Sequence, residues 1–296
     1  MSLPSKPPGQ AAGPGIALVV AGYLVSSISD TAVKWVSGSY PVPEMLFFAA
    51  LFSLIPMAVA TMACGGLAAL VTRRPGVQFG RAGLGLTGYL CGFYAIGHMP
   101  LADFYALVFT SPLFITALSA LVAREAVDRP RWLAVAAGFA GILVMLRPGS
   151  GLAGFGALAG LGGSVCYALS VLLVRRFGGS ERPVTFGTYG ALVMAGGAGL
   201  LLPSGVTVPD GHDLVLLAVG GIGMGTALLC IFAAFRRTPA AVLAPFQYTQ
   251  MIWGVLAGLL LFGEQPDIAV AVGAVLVVGS GLYILHRETR PVLARS

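Results

Sequence analysis

Residues 95–146, AIGHMPLADFYALVFTSPLFITALSALVAREAVDRPRWLAVAAGFAGILVML, decide the fold of this chain, because its second half repeats them 139 positions later. The shift places Ala95 on Ala234, Pro100 on Pro239, Ala102 on Ala241, Thr110 on Thr249 and Glu125 on Glu264, and Leu143 and Leu146 on Leu282 and Leu285. Further upstream a shift of 140 pairs Ala17 with Ala157, Gly38 with Gly178 and Pro43 with Pro183. Each copy holds five long apolar segments. An odd number of spans per copy forces the second copy to cross a bilayer upside down. Inverted repeats of this kind are the usual construction of secondary transporters, with the substrate held between the halves near the midplane.

Of the 296 residues 57% are hydrophobic and 9% charged, against roughly 25% charged in a soluble domain. No soluble protein of this size could hide so much apolar surface and still solvate its exterior. A helix needs about 20 apolar residues to cross the hydrocarbon core. Ten runs meet that need, near 15–36, 44–70, 82–98, 101–123, 131–147, 152–174, 184–203, 213–235, 239–262 and 267–286. They are continuously apolar, without the two-residue alternation of a membrane barrel. The expected fold is an all-α integral membrane protein, with ten transmembrane helices in two inverted five-helix repeats. A flexible tail 1–14 precedes the first repeat (15–149), the second repeat covers 150–288, and 289–296 form a cytoplasmic tail.

The net charge of +6 could suggest nucleic acid, but its distribution points to the bilayer. With the N-terminus inside, 15 of the 17 basic residues fall in cytoplasmic segments, among them Arg73, Arg74, Arg81, Arg124, Arg175, Arg236 and Arg287. Only Lys34 and Arg147 lie at outer ends. This bias follows the positive-inside rule and fixes N-in and C-in. The first apolar run is too long for a signal-peptide core and reads as an uncleaved helix. The four cysteines stand singly without a CxxC pair, so no metal site or disulfide is expected. Arginine far outnumbers lysine, which suggests a GC-rich bacterial genome and hence a multi-pass protein of a bacterial inner membrane.

Glycines spaced by four (Gly88 and Gly92, Gly156 and Gly160, Gly221 and Gly225, Gly254 and Gly258) mark helices that pack closely, since small residues let backbones approach in lipid. Pro56, Pro112 and Pro245 interrupt apolar runs, either as static bends or as hinges.

Polar residues pick out the inward faces. Tyr23, Ser26, Ser27, Asp30 and Lys34 lie along one side of the first helix. Ionisable groups facing lipid are costly, so the stripe faces protein or a watery cavity. Asp30 and Lys34 are four apart and so placed to pair along the helix, either merely neutralising one another or handling substrate or protons. Gln247, Gln250, Gly254 and Gly258 give the ninth span a second polar face, which could line a cavity or bond a neighbouring helix. Tyr89 and Tyr167 lie deep in the third and sixth spans. Tyr94, His98 and Tyr105 lie nearer span ends, where aromatics often form an interfacial belt. Glu125 and Glu264 read as structural acids, pairing with loop arginines or favouring the next helix N-terminus. The candidate substrate-binding set is Tyr23, Ser27, Asp30, Lys34, Tyr89, Tyr94, Tyr105, Tyr167, Gln247 and Gln250.

The run PLADFYALVFTSPLFITALSALVAREAVDRPRWLAVAAGFAGILVMLRPG (100–149) resembles the repeat signature of EamA-type members of the drug/metabolite transporter superfamily, and SDTAVKWVSGSYPVPEMLFF (29–48) is similar to the start of those proteins. The second copy keeps Pro239, Thr249, Gly263-Glu264 and a Gly-rich last span. The resemblance covers nearly the whole chain and implies a central cavity lined mainly by spans one, three, four, six, eight and nine. Relatives include metabolite exporters, among them YddG-type exporters of aromatic amino acids. Many members carry an Arg early in span two, and Phe47 through Leu51 contain none.

The expected function is alternating-access export of small metabolites, with neutral and aromatic amino acids favoured; other organic metabolites, drugs or nucleoside-like compounds are the alternative. Phosphorylated substrates need fixed cations, and Lys34 is the one candidate inside a span. An intramembrane enzyme is disfavoured, because His98, His212 and His286 lie at span ends or loops without a nucleophile–base arrangement. No cofactor, metal or nucleic acid is expected, and a monomer in the lipid bilayer serves as the unit of function.

Overall fold

The computed structural model describes residues 12–122, 128–146, 154–177, 182–202, 208–238, 240–265 and 267–293. Among them there is no strand. The helices are α1 (Ala12–Val36), α2 (Val42–Ala63), α3 (Pro75–His98), α4 (Leu101–Val108), α5 (Ser111–Val122), α6 (Arg129–Leu146), α7 (Phe155–Phe177), α8 (Pro183–Leu200), α9 (Gly211–Phe235), α10 (Ala240–Leu243), α11 (Thr249–Phe262) and α12 (Ile268–Leu293). Among the described residues six helical stretches are long and apolar enough to cross a membrane, and Val184–Leu200 is a shorter apolar helix.

Several boundaries differ from the sequence reading, and α3 starts at Pro75 rather than near residue 82. α1 starts at Ala12 and α12 runs on to Leu293, so the segments read as tails are partly helical. The second run ends as a helix at Ala63 and continues as a 3-10 turn over Gly66–Leu70, after Gly65 and Gly66 at positive φ. The fourth and ninth runs are both interrupted. α4 gives way to α5 at a turn over Phe109 and Thr110, and a 3-10 segment, Ala244–Tyr248, separates α10 from α11. Pro112 and Pro245 explain the interruptions, because a proline lacks the N–H of the helical ladder and clashes with the preceding turn. At the 139-residue shift Phe109 and Thr110 correspond to Tyr248 and Thr249, so the two breaks are equivalent.

The packing carries the same symmetry. Taking α1 with α7, α2 with α8, α3 with α9, α4–α5 with α10–α11 and α6 with α12, the principal contacts have their counterparts. α1 packs on α9 as α7 packs on α3, and α2 packs on α9 as α8 packs on α3. The pairs α2–α8 and α6–α12 map onto themselves, as does the contact of the α4–α5 unit with α10–α11. Lipid tails are as apolar as leucine, so these contacts depend on fit rather than on exclusion from water. Gly221 shows the fit required: a Cβ there would overlap the Ala49 carbonyl oxygen of α2. The other glycines singled out by spacing also face a neighbouring element, including Gly88 against Cys166 and Gly160 against Leu107.

One buried cluster joins α3, α4, α6 and α12 through Ile96, Leu101, Phe104, Leu107, Ile142 and Val277. A second joins α1, α2, α3, α8 and α9 through Val33, Met45, Leu46, Phe93, Met194 and Leu217. Tyr23 of the α1 stripe belongs to a further cluster with Val19, Ala234 and Leu243.

Candidate functional site

The stripe on α1 forms because residues 23, 26, 27, 30 and 34 fall on one helix face, and it meets partners from several other helices. Asp30 accepts a hydrogen bond from the Tyr105 hydroxyl of α4 at 2.7 Å. Tyr105 is 1% exposed, with its ring seated on Gly254 of α11, where a Cβ would overlap it. Gln250, also on α11, donates to Ser26 Oγ at 3.2 Å. The buried Ser27 Oγ has no hydrogen bond of normal geometry, although it lies close enough to interact with the Tyr105 hydroxyl. A buried hydroxyl without a partner is uncommon and leaves a polar contact open.

Two tyrosines face this stripe from other helices. Tyr89 of α3 is 37% exposed and Tyr167 of α7 56%. Tyr89 interacts electrostatically with Asp30, Arg81 and Tyr167, and Tyr167 also interacts with the buried Tyr23. Tyr23, Asp30, Tyr89, Tyr105 and Tyr167 therefore form one neighbourhood contributed by α1, α3, α4 and α7, with Ser26, Ser27 and Gln250 beside it. Aromatic faces accept planar ligands by stacking, and the carboxylate, hydroxyls and carboxamide fix polar edges.

Besides Lys34, two candidate residues lie apart from this group. Tyr94 stacks on His98 with centroids 4.0 Å apart, and its carbonyl is 2.8 Å from His98 Nδ1, at the C-terminal end of α3. Gln247 is half-buried in the 3-10 segment before α11 and has no described bond to the cluster.

The Asp30–Lys34 pair is not formed. Lys34 instead pairs with Glu264 at 2.6 Å. It donates to the Met99 carbonyl at 2.6 Å and to the Ile96 carbonyl at 3.4 Å, and its ammonium lies 5.3 Å from the Phe262 ring centroid. Glu264 also accepts the Leu101 N–H at 3.0 Å. The reason is geometric: Lys34 is a full helical turn beyond Asp30, where α3 ends and carbonyls Ile96 and Met99 lack helical donors. Glu264, expected to pair with loop arginines or to favour the next helix N-terminus, thus serves α1 and the first turn of α4. Glu125, its equivalent, lies outside the described residues.

Arg81 was counted in a cytoplasmic loop, but it lies in α3 and turns towards α8. It donates to the Phe186 carbonyl and its guanidinium carbon lies 5.1 Å from the Phe186 ring centroid. Its Nε is buried without a hydrogen bond, and among the described residues no carboxylate pairs with it. The sequence signal for this was available, since Arg81 falls two turns before Tyr89 on the same face.

Two other features are accounted for without a ligand. Asp210, His212 and Asp213 cluster at the start of α9, where Asp210 caps the helix by accepting the Asp213 N–H at 2.8 Å. Tyr40 donates to Asp213 at 3.0 Å, and burial together with that bond pushes its hydroxyl pKa up. An apolar furrow between α1 and α9, lined by Val25, Ile28, Val219 and Ile222, lies on the opposite side of α1 from Asp30 and suits a lipid chain.

The model of the EamA-like transporter family matches residues 13–147 and again 154–285. The chain is 32% identical to a riboflavin transporter of Rhizobium johnstonii, over 92% of this chain and 91% of that one. It is 31% identical to a riboflavin transporter of Vibrio cholerae over 72% and 74% of the two chains. It is 26% identical to an S-adenosylmethionine uptake transporter of Rickettsia prowazekii, over 95% of each chain. A solved crystal structure superposes with a TM-score of 0.62 at 20% identity, covering 92% of this chain and 98% of its own, a likeness of fold alone. With a family match in each half and apolar helices throughout, the chain is a multi-pass bacterial membrane protein that belongs to the EamA-like transporter family.

Proposed function

We propose that this transporter carries a planar heteroaromatic metabolite rich in hydrogen-bonding groups, riboflavin foremost, by alternating access between its two halves. The observation that carries the reading is the tyrosine neighbourhood around Asp30, with Tyr89 and Tyr167 half-exposed on facing helices. Rings of this kind offer stacking surface to a fused heterocycle. Asp30, Ser26, Ser27 and Gln250 offer acceptors and a donor to a hydroxylated side chain. The riboflavin transporters among its relatives support this class over the amino acids favoured by composition. In this reading each half contributes five spans, the termini lie in the cytoplasm, and the second repeat is inverted. The ends of α1 and α3 that carry Lys34 and His98 then face outward. The functional unit is a monomer, and repeat boundaries at 15–149 and 150–288 fit the swap of contacts between halves.

A second reading rests on a different observation. Tyr89 interacts with both a carboxylate, Asp30, and a guanidinium, Arg81. Opposite charges that both reach one tyrosine suit a zwitterion, such as S-adenosylmethionine or an aromatic amino acid. Growth separates the two. A riboflavin-requiring bacterium lacking its own importer should grow on low riboflavin when it expresses this chain. Failure to grow, together with uptake of labelled S-adenosylmethionine or tryptophan by the same cells, would favour the zwitterion.

A further inference from the structure

We propose that Lys34 and Glu264 form the outer gate of the transport path, and that the structure is the outward-closed state. The proposal rests on the topology above, with the C-terminal end of α1 facing out, but not on any substrate.

Four segments converge on this pair. Lys34 comes from α1 and Glu264 from the turn between α11 and α12. Lys34 binds the last carbonyls of α3 at Ile96 and Met99, and Glu264 receives the first N–H of α4 at Leu101. Both side chains are largely buried, at 11% and 19% exposed. Phe262 lies under the ammonium and packs against Trp35 with centroids 5.5 Å apart. Gly258 leaves room for the carboxylate, since a Cβ there would come within 2.8 Å of Glu264 Oε2.

The pair also joins the halves. α1, α3 and α4 belong to the first repeat, and α11 and its following turn to the second. Alternating access requires one half to move against the other, so a contact that bridges them at one end holds that end shut. Its position fits the purpose: Lys34 lies one helical turn beyond Asp30, between the candidate site and the outer face. The bonds are side-chain bonds to carbonyls and one N–H, which can exchange for water without unfolding a helix. Mutual neutralisation keeps the closed state free of an unpaired charge, and partial burial strengthens the attraction relative to water. Opening exposes both charges to water, which compensates the loss and makes the gate reversible.

The test uses a chain whose four native cysteines are replaced by alanine, with one cysteine introduced at Ser27, two turns below the gate. Intact cells are treated with a membrane-impermeant maleimide. With Lys34 and Glu264 in place, labelling of S27C is slow. In the K34Q/E264Q background it should quicken about tenfold, the change expected when ~1.4 kcal/mol of closing interaction is removed. Equal labelling rates in the two backgrounds, in protein that purifies as a monodisperse species, would overturn the gate. Orientation is checked separately with S39C, just beyond α1. Labelling of S39C from outside supports the assignment, whereas labelling only after permeabilisation overturns it. Neither readout uses a substrate, so a failed gate and a wrong substrate class give different results.

Discussion

The rings of Phe109 and Tyr248 meet edge to face, with centroids 5.0 Å apart and planes at 75°, and the two residues occupy equivalent positions of the two repeats. Each lies at the break of its own helix. The interruptions of the two halves therefore touch. Broken backbone at membrane depth is tolerated only where protein covers it, and here each break helps to cover the other. Because the candidate site lies directly beside these breaks, through Tyr105 on α4 and Gln250 on α11, small shifts of one half register there.

The fit around Tyr248 gives a first prediction. A Cβ on Gly281 of α12 would overlap the Tyr248 hydroxyl. Gly281→Ala should destabilise the protein by about 1–3 kcal/mol, the usual cost of overpacking, seen as a lower melting temperature in detergent. The double variant G281A/Y248F removes the colliding oxygen and should recover most of the loss. If it recovers none, the hydroxyl is not what the glycine accommodates.

Close backbone contact between α2 and α9 gives a second. Gly221→Ala sets a methyl against the Ala49 carbonyl, a backbone atom that cannot swing aside. Folded yield should fall sharply, whereas Gly279→Ala, with nothing within 4 Å of its added carbon, should be neutral. Similar yields for the two variants would contradict the packing described.

The Asp30–Tyr105 bond separates charge from geometry. In D30N the amide oxygen can still accept from Tyr105, so the protein should fold normally. Transport should fall through a KM raised about tenfold, as expected for losing a hydrogen bond to a charged group worth ~1.5–3 kcal/mol. Y105F keeps the charge but leaves it short of a donor, so it should lose stability as well as transport. Normal transport by D30N would remove the carboxylate from the site.

Arg81 bears on substrate charge. A guanidinium without a carboxylate partner, near Tyr89, attracts an anionic group on a ligand. A flavin phosphate should compete with riboflavin for the wild type, and R81Q should weaken that competition about fivefold, on the order of 1 kcal/mol for a partly exposed charge. Equal competition in both proteins would confine Arg81 to its bonds with Phe186.

The helical content, the repeat and the inward stripe of α1 were legible in the sequence, because membrane spans and 3.6-residue periodicity leave direct marks. Helix breaks at Phe109 and Tyr248 were signalled by Pro112 and Pro245, although spacing alone could not say whether the chain bends or stops being helical. Partner choice was not legible. Lys34 is four residues from Asp30, which suggests a local pair, yet tertiary contact brings Glu264 from 230 positions away. Local spacing says which side chains share a face, and only packing decides what arrives opposite them. Arg81 shows the same limit: the charge count placed it in a loop, while the fold turns it onto Phe186. Spacing puts Gln247 on the helical face of Gln250, yet neither it nor Tyr94 has a described bond to Asp30.

The most direct test of transport through the tyrosine neighbourhood is uptake by proteoliposomes containing purified protein. Labelled riboflavin, S-adenosylmethionine and tryptophan are offered separately to wild type and to the double variant Y89A/Y167A. Saturable riboflavin uptake by wild type, reduced at least about tenfold in the double variant as each lost stacking surface removes on the order of 1 kcal/mol, is the expected result. Riboflavin uptake unchanged in Y89A/Y167A, or no uptake of it by wild type while another of these substrates is carried, would contradict the account.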